Sequence, residues 1–208
     1  MEDSRMGIVL EGNFISTFSA DNSLERNQKE EEYIDYIETH RENVKKAYYK
    51  YFEPLKSMKL DLKFCSNIDF EIALDDCINN IEIHDESKYS NIEFNPYRLR
   101  FYPTEDEKVE LEDKDKYAQQ QIDFLNAWTH HYKNNPHHPK YWVQDDGSIK
   151  DMELKYIIEM LCDWLSFGDD IRVWYQNKAK DEKEAMSPRT KQIVEQLMDL
   201  IYTKQNNQ

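Results

Sequence analysis

Residues 28–52 read QKEEEYIDYIETHRENVKKAYYKYF and contain neither glycine nor proline. Their apolar side chains recur every three or four residues, as expected for one face of an α-helix: Tyr33, Ile34, Ile37, Val44, Ala47, Tyr48 and Tyr51. The spacing predicts a long amphipathic helix that ends before Pro54. His40 follows Ile37 by three residues and precedes Val44 by four, so we expect its imidazole on the buried face.

The rest of the chain also favours helices. With 4 glycines and 6 prolines among 208 residues, it has few of the turn residues that a fold of many short strands needs. Helical spacing of apolar residues recurs in four further segments: 68–84, 116–133, 151–167 and 189–202. Ser187 and Pro188 suit the start of the last segment, as N-cap and first helical residue. The sequence therefore predicts an all-α fold of five or more helices.

Three regions are predicted along the chain. Residues 1–27 contain an apolar patch at 7–18 among polar residues, which suits an irregular, extended arm or a short strand better than a helix. Residues 28–168 carry most of the helical pattern and have the length of one domain. Residues 169–208 form a C-terminal extension that ends in a helix. The charged run at 105–116 is expected to be a solvated loop or a helix start.

The charge balance argues against two classes of partner. Lysine and arginine total 27 against 42 acidic residues, which gives a formal net charge of -15 at pH 7. Long-range repulsion therefore opposes docking onto duplex nucleic acid or an anionic membrane. A small anionic substrate remains compatible with this charge if divalent cations occupy its site, because they reverse the local field.

Cysteine usage and hydropathy bear on the compartment. Cys65, Cys77 and Cys162 form no CxxC pair and leave one thiol over, which is typical of reduced cytosolic chains, and we interpret them as core residues. No basic N-terminal region precedes an apolar run of signal length, and no window approaches the roughly 18 apolar residues of a membrane span. A cytoplasmic protein is expected.

The histidines give the clearest indication of chemistry. All six lie between residues 40 and 138, and His131, like His40, falls on the apolar face of its helix, where a neutral imidazole needs a partner. Imidazoles that converge with carboxylates from different helices are typical of metal sites in helical bundles. The remaining candidates are the pair His84-Asp85 at a helix end, the pair His137-His138 in a loop, and Glu159 and Asp163 on one side of a helix.

Each candidate also has a purely structural interpretation. His40 fits a hydrogen-bonded core histidine equally well, and the His-Asp pair fits a helix terminus at which a cation meets the negative end of the dipole. The His-His pair is explained as well by packing of its loop onto the Trp142 region. His130 is better explained as a surface neighbour than as a ligand. The order of the whole set, rather than any one member, favours a metal site.

This order resembles the HD superfamily of metal-dependent phosphohydrolases. The family pattern is a histidine on one helix, an adjacent His-Asp pair on the next, and a distant aspartate. The matching residues are His40, His84-Asp85 and Asp163. Many members continue with two residues and a lysine, which is Lys88 here, and members with two ions insert a helical histidine and a His-His pair, here His131 and His137-His138. The resemblance implies an HD-type helical bundle.

Residues 38–167 are also similar to a less characterised group of phage and bacterial proteins. The shared motifs are His-Asp-x-Ser-Lys at 84–88, Ala127-Trp128, His131, Asn-x-His-His at 135–138, Tyr141-Trp142, Glu159-Met160 and Asp163-Trp164. In the wider superfamily a glycine usually precedes the lysine, where this chain has Ser87, and the His-His pair is not followed by Gly-Tyr-Pro here. The resemblance therefore does not imply a cyclic-dinucleotide substrate.

The superfamily resemblance implies one or two divalent ions, whether Mn, Fe, Zn, Co or Ni. The implied ligands are His40, His84, Asp85, His131, His137, His138 and Asp163. Asp85 and Lys88 are the implied catalytic residues: Asp85 bridges two ions, and Lys88 neutralises phosphate charge unless it is merely solvated. The residues implied in substrate binding are Lys88, Asn135, Arg98 and Arg100, and those implied in orienting ligand imidazoles are Glu159 and Glu93.

The function implied by the resemblance is hydrolysis of a small phosphoester, such as a nucleotide, by metal-activated water. Two alternatives stay open from the sequence. The same scaffold hosts di-iron oxygenases, and it also suits a non-catalytic phage protein that binds a nucleotide or a host protein. A homo-oligomer is compatible with the sequence but is not indicated by any one segment.

Overall fold

The computed structural model describes residues 11–168, 170–177 and 180–205. Over these residues the α-helices are α1 Glu11–Ala47, α2 Asn67–Glu82, α3 Phe94–Phe101, α4 Glu105–Glu110, α5 Lys114–Asn134, α6 Leu154–Ser166, α7 Ile171–Asn177, α8 Lys180–Glu184 and α9 Pro188–Gln205. A π-helical turn forms Tyr48–Phe52, and 3-10 turns form Glu53–Leu55, Glu86–Tyr89 and Pro139–Trp142. The predicted all-α fold of five or more helices is confirmed.

The first helix is longer than predicted. Residues 28–52 are helical, with the π-helical turn Tyr48–Phe52 closing the segment before Pro54. The prediction of an extended arm or a strand is wrong for residues 11–27, which belong to α1, while residues 1–10 lie outside the described residues. Residues 11–27 contain no proline, and a helix that is already nucleated extends at little cost. The packed second half of α1 provides that nucleus.

Helix α6 is the centre of the larger of two cores. Its buried residues are Ile157, Ile158, Glu159, Met160, Leu161, Cys162, Trp164 and Leu165. A helix that is buried around most of its circumference belongs inside the protein. It contacts α1, α2 and α9, which supply most of the surrounding apolar side chains. Both buried cysteines, Cys77 and Cys162, belong to this core, and Cys65 packs against it; all three are free thiols.

A smaller core lies between α1, α3 and α5. Its buried residues are Tyr33, Ile37, Tyr97 and Ala127, and partly buried aromatic rings pack around them. On α1, Val44 already belongs to the larger core. His40, between Ile37 and Val44, therefore lies where the two cores meet.

The C-terminal region packs on the larger core. Ile171, Met186 and Val194 are among the residues that α7, α9 and the segment between them contribute to it. The charged stretch at 169–184 forms the short helices α7 and α8 in its described part. At the start of α9 the Ser187 hydroxyl accepts a hydrogen bond from the Thr190 amide at 3.1 Å, as expected of the predicted N-cap. None of the helices in the described part of the chain has both the length and the apolar character needed to cross a membrane.

The charged run at 105–116 begins with the helix α4. Thr104 and Glu107 form a capping box, in which each side chain accepts a hydrogen bond from the other residue's amide. Glu107 also accepts two hydrogen bonds of 2.6 Å from Arg98, which is 2% exposed. This bidentate pair joins α3 to α4, so the guanidinium of Arg98 is engaged in the fold.

Replacing Arg98 should therefore destabilise the protein. Arg98→Ala leaves the Glu107 carboxylate without its main partner, and we expect the free energy of unfolding to fall by about 3 kcal/mol in urea denaturation. Arg100→Ala is the matched control, because Arg100 is exposed and its guanidinium rests over the Phe124 ring at 5.5 Å. The control should change stability by less than about 1 kcal/mol. Equal stability of the two variants would show that the Arg98 pair does not hold α3 and α4 together.

Candidate metal centre

The turn after α2 presents His84 and Asp85 to the interior. Asp85 has φ 57° and ψ 19°, and it is the single non-glycine residue with positive φ in the described chain. Aspartate tolerates this left-handed conformation better than most residues, but it still costs roughly 1–3 kcal/mol. The two side chains are 1% and 3% exposed. Such a conformation persists only where the surrounding structure requires it. In this turn we attribute the requirement to the contacts of the buried Asp85 carboxylate.

One oxygen of Asp85 faces a first group of ligand atoms, which we call group A: His40, His84 and Asp163. Within it, His40 Nε2 lies 3.2 Å from Asp163 Oδ1 and 3.3 Å from His84 Nε2. Asp85 Oδ2 lies 3.5 Å from His40 Nε2 and 3.7 Å from His84 Nε2. The three ligand atoms of group A come within 4.8 Å of one another, which is close enough for one cation to contact all of them.

The other oxygen of Asp85 faces a second group, group B, which consists of Asp85, His131, His137 and His138. Asp85 Oδ1 lies 3.3 Å from His131 Nε2 and 3.6 Å from His137 Nε2. Asp85 Oδ1, His137 Nε2 and His138 Nε2 are buried atoms with no hydrogen-bond partner. Buried polar atoms nearly always have a partner, so three unpaired atoms in one group fit a site for a cation.

Buried carboxylates contact the Nδ1 atoms of three of these histidines, on the side of each ring opposite Nε2. Glu159 Oε1 lies 2.9 Å from His84 Nδ1 and 3.0 Å from His137 Nδ1, and Glu93 Oε2 lies 2.8 Å from His131 Nδ1. In the neutral ring, an Nδ1–H that donates to a carboxylate leaves Nε2 unprotonated and free to bind a cation. Glu159 and Glu93 are thus where ligand-orienting residues are expected. His84, His137 and Glu159 also lie close enough together to be a third possible metal group. The contacts of Glu159 with the two Nδ1 atoms explain this proximity without an ion.

His40 has its own support, which the sequence analysis missed. The Ser166 hydroxyl donates to the Asp163 carbonyl at 2.7 Å and lies 3.2 Å from His40 Nδ1, so it is placed to accept from that nitrogen. Ser166 follows Asp163 by three residues on α6, which puts both on the same side of the helix. The three-residue spacing from Asp163 to Ser166 was the feature of the sequence that could have identified Ser166.

The centre attracts positive charge. Burial lowers the pKa of His84, but Asp85, Asp163 and Glu159 outweigh it and raise that pKa to about 10. Burial raises the pKa of Glu159, but His137 and His84 outweigh it and lower that pKa to about 2. The carboxylates therefore stay ionised and hold protons on neighbouring imidazoles. Divalent cations bind such sites by displacing those protons.

Lys88 contributes the ammonium group nearest the shared carboxylate. Its Nζ lies 2.7 Å from Asp85 Oδ2 in a largely buried position. Burial lowers the pKa of Lys88, but the Asp85 carboxylate outweighs it, so the pKa is raised and the ammonium remains charged. The structural alternative, a merely solvated lysine, is therefore wrong.

His138 differs from the other histidines in its protonation. Burial, followed by the neighbouring His137, lowers its pKa to about 4, which keeps the ring neutral at pH 7. Its Nδ1 lies 3.9 Å from an oxygen of Glu182 on α8. Nothing in the charged segment around Glu182 distinguished that residue in the sequence. A neutral imidazole is the form that coordinates a metal.

Four residues weighed from the sequence contribute no ligand atom to either group, although Asn135 Nδ2 lies 3.3 Å from His131 Nδ1 of group B. The Asn135 side chain donates to the His131 carbonyl and to Ser87 Oγ, each at 2.7 Å, and so closes the end of α5. Arg98 pairs with Glu107, as described above, and Arg100 packs on Phe124, so neither guanidinium reaches the centre. His130 Nδ1 lies 2.6 Å from Glu93 Oε1 and contributes no ligand atom to group A or B, in agreement with its interpretation as a neighbour.

Two sides of the centre approach solvent. Next to group A, the rings of Tyr36 and Phe167 stack on His40, and these two residues are 40% and 57% exposed. Next to group B, a cleft of about 340 Å³ reaches His137 and Glu159, and no lysine or arginine is among its lining residues. This cleft therefore offers an anion no lysine or arginine side chain. The Lys88 ammonium, which contacts Asp85, is not among the residues that line it.

A family model matches residues 29–200, which include every ligand of groups A and B. The protein belongs to DUF5662, a family of unknown function. No curated protein and no solved structure gives a significant match to the chain. The DUF5662 match therefore leaves the chemistry to be inferred from the side chains themselves.

We expect the hydrogen bonds that Glu159 accepts to contribute to the affinity of the centre for a cation. In Glu159→Gln the shape of the side chain is kept but its charge is lost, and we expect the affinity for Mn²⁺, measured by titration calorimetry, to fall by about 10- to 100-fold. Glu153→Gln is the matched control, because Glu153 is exposed at the start of the same helix. Unchanged affinity in Glu159→Gln would contradict the role of this carboxylate in holding the imidazoles.

Proposed function

We propose that this DUF5662 protein is an HD-type hydrolase that uses two divalent metal ions to cleave a small phosphoester, such as a nucleotide. The observation that carries the proposal is the Asp85 carboxylate, whose two oxygens face different ligand groups. A carboxylate that bridges two cations is the usual core of a two-metal hydrolytic site. The order of the ligands along the chain, which resembles the HD superfamily, supports the same reading.

The ligand chemistry fits two divalent ions. Group A with Asp85 Oδ2 offers two imidazoles and two carboxylates, and group B offers three imidazoles and one carboxylate. Such nitrogen and oxygen sets suit Mn, Fe, Zn, Co or Ni. Two such ions would supply Lewis acidity toward a phosphoryl oxygen and a water molecule of lowered pKa.

The chain's own residues have separate tasks in this proposal. Asp85 contacts both ligand groups. Glu159 and Glu93 orient imidazoles by accepting hydrogen bonds from their Nδ1 atoms. The Lys88 ammonium lies next to Asp85 and neutralises negative charge on the phosphoryl group as it is transferred to water. Two ions add about four positive charges to the centre, which overcomes the acidic character of the whole chain for a small anion.

A panel of phosphomonoesters and nucleotides tests the proposal. The protein is assayed for phosphate release with Mn²⁺, Co²⁺, Zn²⁺ and Fe²⁺, and we expect turnover with at least one metal. Lys88→Met should lower kcat by about 100-fold or more with little change in bound metal, because it removes charge stabilisation. Lys108→Met, at an exposed lysine on α4, is the control and should retain full activity.

Other outcomes separate the alternatives left by the sequence. Activity that requires iron and dioxygen, without phosphate release from any substrate, would overturn hydrolysis and support a di-iron oxygenase. Bound nucleotide that is never turned over with any metal would support a binding protein instead.

A further inference from the structure

Two buried tyrosine hydroxyls near the metal centre have no hydrogen-bond partner. Tyr33 and Tyr97 are 1% and 7% exposed, and both hydroxyl oxygens are buried and unpaired. A buried phenol usually finds a partner, because burying an unpaired polar group is unfavourable. In the larger core, for example, the Tyr48 hydroxyl donates to the Leu74 carbonyl at 2.8 Å. The smaller core therefore contains an unusual pair of donors.

One of the two tyrosines, Tyr97, lies next to residues that contact the shared carboxylate, and the other, Tyr33, belongs to the same small core. Tyr33 and Tyr97 are both members of the smaller core, which adjoins the centre at His40. The Tyr97 ring lies 5.9 Å from the His131 ring and 5.9 Å from Lys88 Nζ, measured to ring centroids. Tyr97 is thus next to both a group B ligand and the ammonium that contacts Asp85.

Electrostatic coupling agrees with this position. Burial is the largest cause of the raised pKa of Tyr33, and the neighbouring Tyr97 and the Asp85 carboxylate raise it further. Burial is also the largest cause for Tyr97, followed by Glu93 and Asp85. An ordinary phenol keeps its proton at neutral pH, so both hydroxyls can donate.

We propose that Tyr33, Tyr97 and Lys88 form a subsite that binds the phosphoryl group of the substrate. The two hydroxyls and the ammonium donate to its non-bridging oxygens, and the Lys88 ammonium links this subsite to Asp85. This inference rests on the proposed phosphoester hydrolysis and names the chain's own donors for it. A subsite with three donors suits a tetrahedral anion with several acceptor oxygens and does not suit an apolar group.

Binding of inorganic phosphate to the purified full-length protein tests the subsite without relying on turnover. Titration calorimetry compares the wild type with Tyr33→Phe and Tyr97→Phe, and the metal content of each sample is measured. Each variant should bind phosphate about tenfold more weakly, because it loses one hydrogen bond to a charged acceptor. The melting temperature without phosphate should stay the same or rise, because the removed hydroxyl had no partner.

Tyr48→Phe is the matched control for a structural role. It removes the hydrogen bond that the Leu74 carbonyl accepts from the Tyr48 side chain in the larger core, so its melting temperature should fall while its phosphate affinity stays at the wild-type value. A purely structural role for Tyr33 and Tyr97 would give this same pattern, and that result would overturn the subsite.

Different results would overturn the subsite and the proposed function. Wild-type protein that does not bind millimolar phosphate, or variants whose affinity stays within about twofold of the wild type, would overturn the subsite even if a phosphoester is hydrolysed. Phosphate binding that is weakened in both tyrosine variants would support the subsite, and absence of turnover with every substrate and metal would then count against hydrolysis alone.

Discussion

The Asp85 carboxylate is the point on which the arrangement of the centre depends. Its two oxygens face two groups of histidines, and its backbone adopts a left-handed conformation that few residues tolerate. Burial raises the pKa of the Asp85 carboxyl, but Lys88, His84 and His131 outweigh it and hold that pKa well below its usual range, so the carboxylate stays ionised. The strain in the turn is therefore offset by electrostatic interactions that form only when both oxygens are presented inward.

The fold positions this carboxylate by placing it between two apolar cores. The larger core fixes α6, which carries Asp163 and Glu159, and the smaller core fixes the segments of α1 and α5 that carry His40 and His131. The candidate ligands thus come from helices that are held in place by two different cores. A centre of this kind is held in place by packing, and the hydrogen bonds that Glu159 and Glu93 accept then orient the imidazoles they contact.

Much of this architecture could be predicted from the sequence. The period of three and four residues identified the packed part of α1, and it put His40 and His131 on inward faces. The candidate ligands were named from their order along the chain and its resemblance to the HD superfamily, and the structure brings them together in two adjoining groups. The backbone geometry of Asp85 had no such signal, because a left-handed residue in a turn depends on the tertiary contacts of its side chain.

Other features were missed for physical reasons. The apolar patch at 7–18 was interpreted as part of an extended arm, but residues 11–27 continue α1 without a proline to stop the helix. Arg98 looked like a candidate for binding a phosphate, but a guanidinium binds a carboxylate equally well, and Glu107 is within reach once α3 and α4 pack. Tyr33 and Tyr97 resembled ordinary core aromatics, and only the lack of a partner for each hydroxyl distinguishes them.

The metal content of the purified protein, measured by elemental analysis, tests the shared role of Asp85 most directly. Two divalent ions per chain are predicted for the wild type, one for each ligand group, and Asp85→Ala is predicted to lose most of both, because both groups use its carboxylate. Asp163→Ala, which removes a ligand of group A alone, should retain more metal than Asp85→Ala. Wild-type protein without bound metal after loading, or an Asp85→Ala variant with unchanged metal content, would contradict the bridged centre.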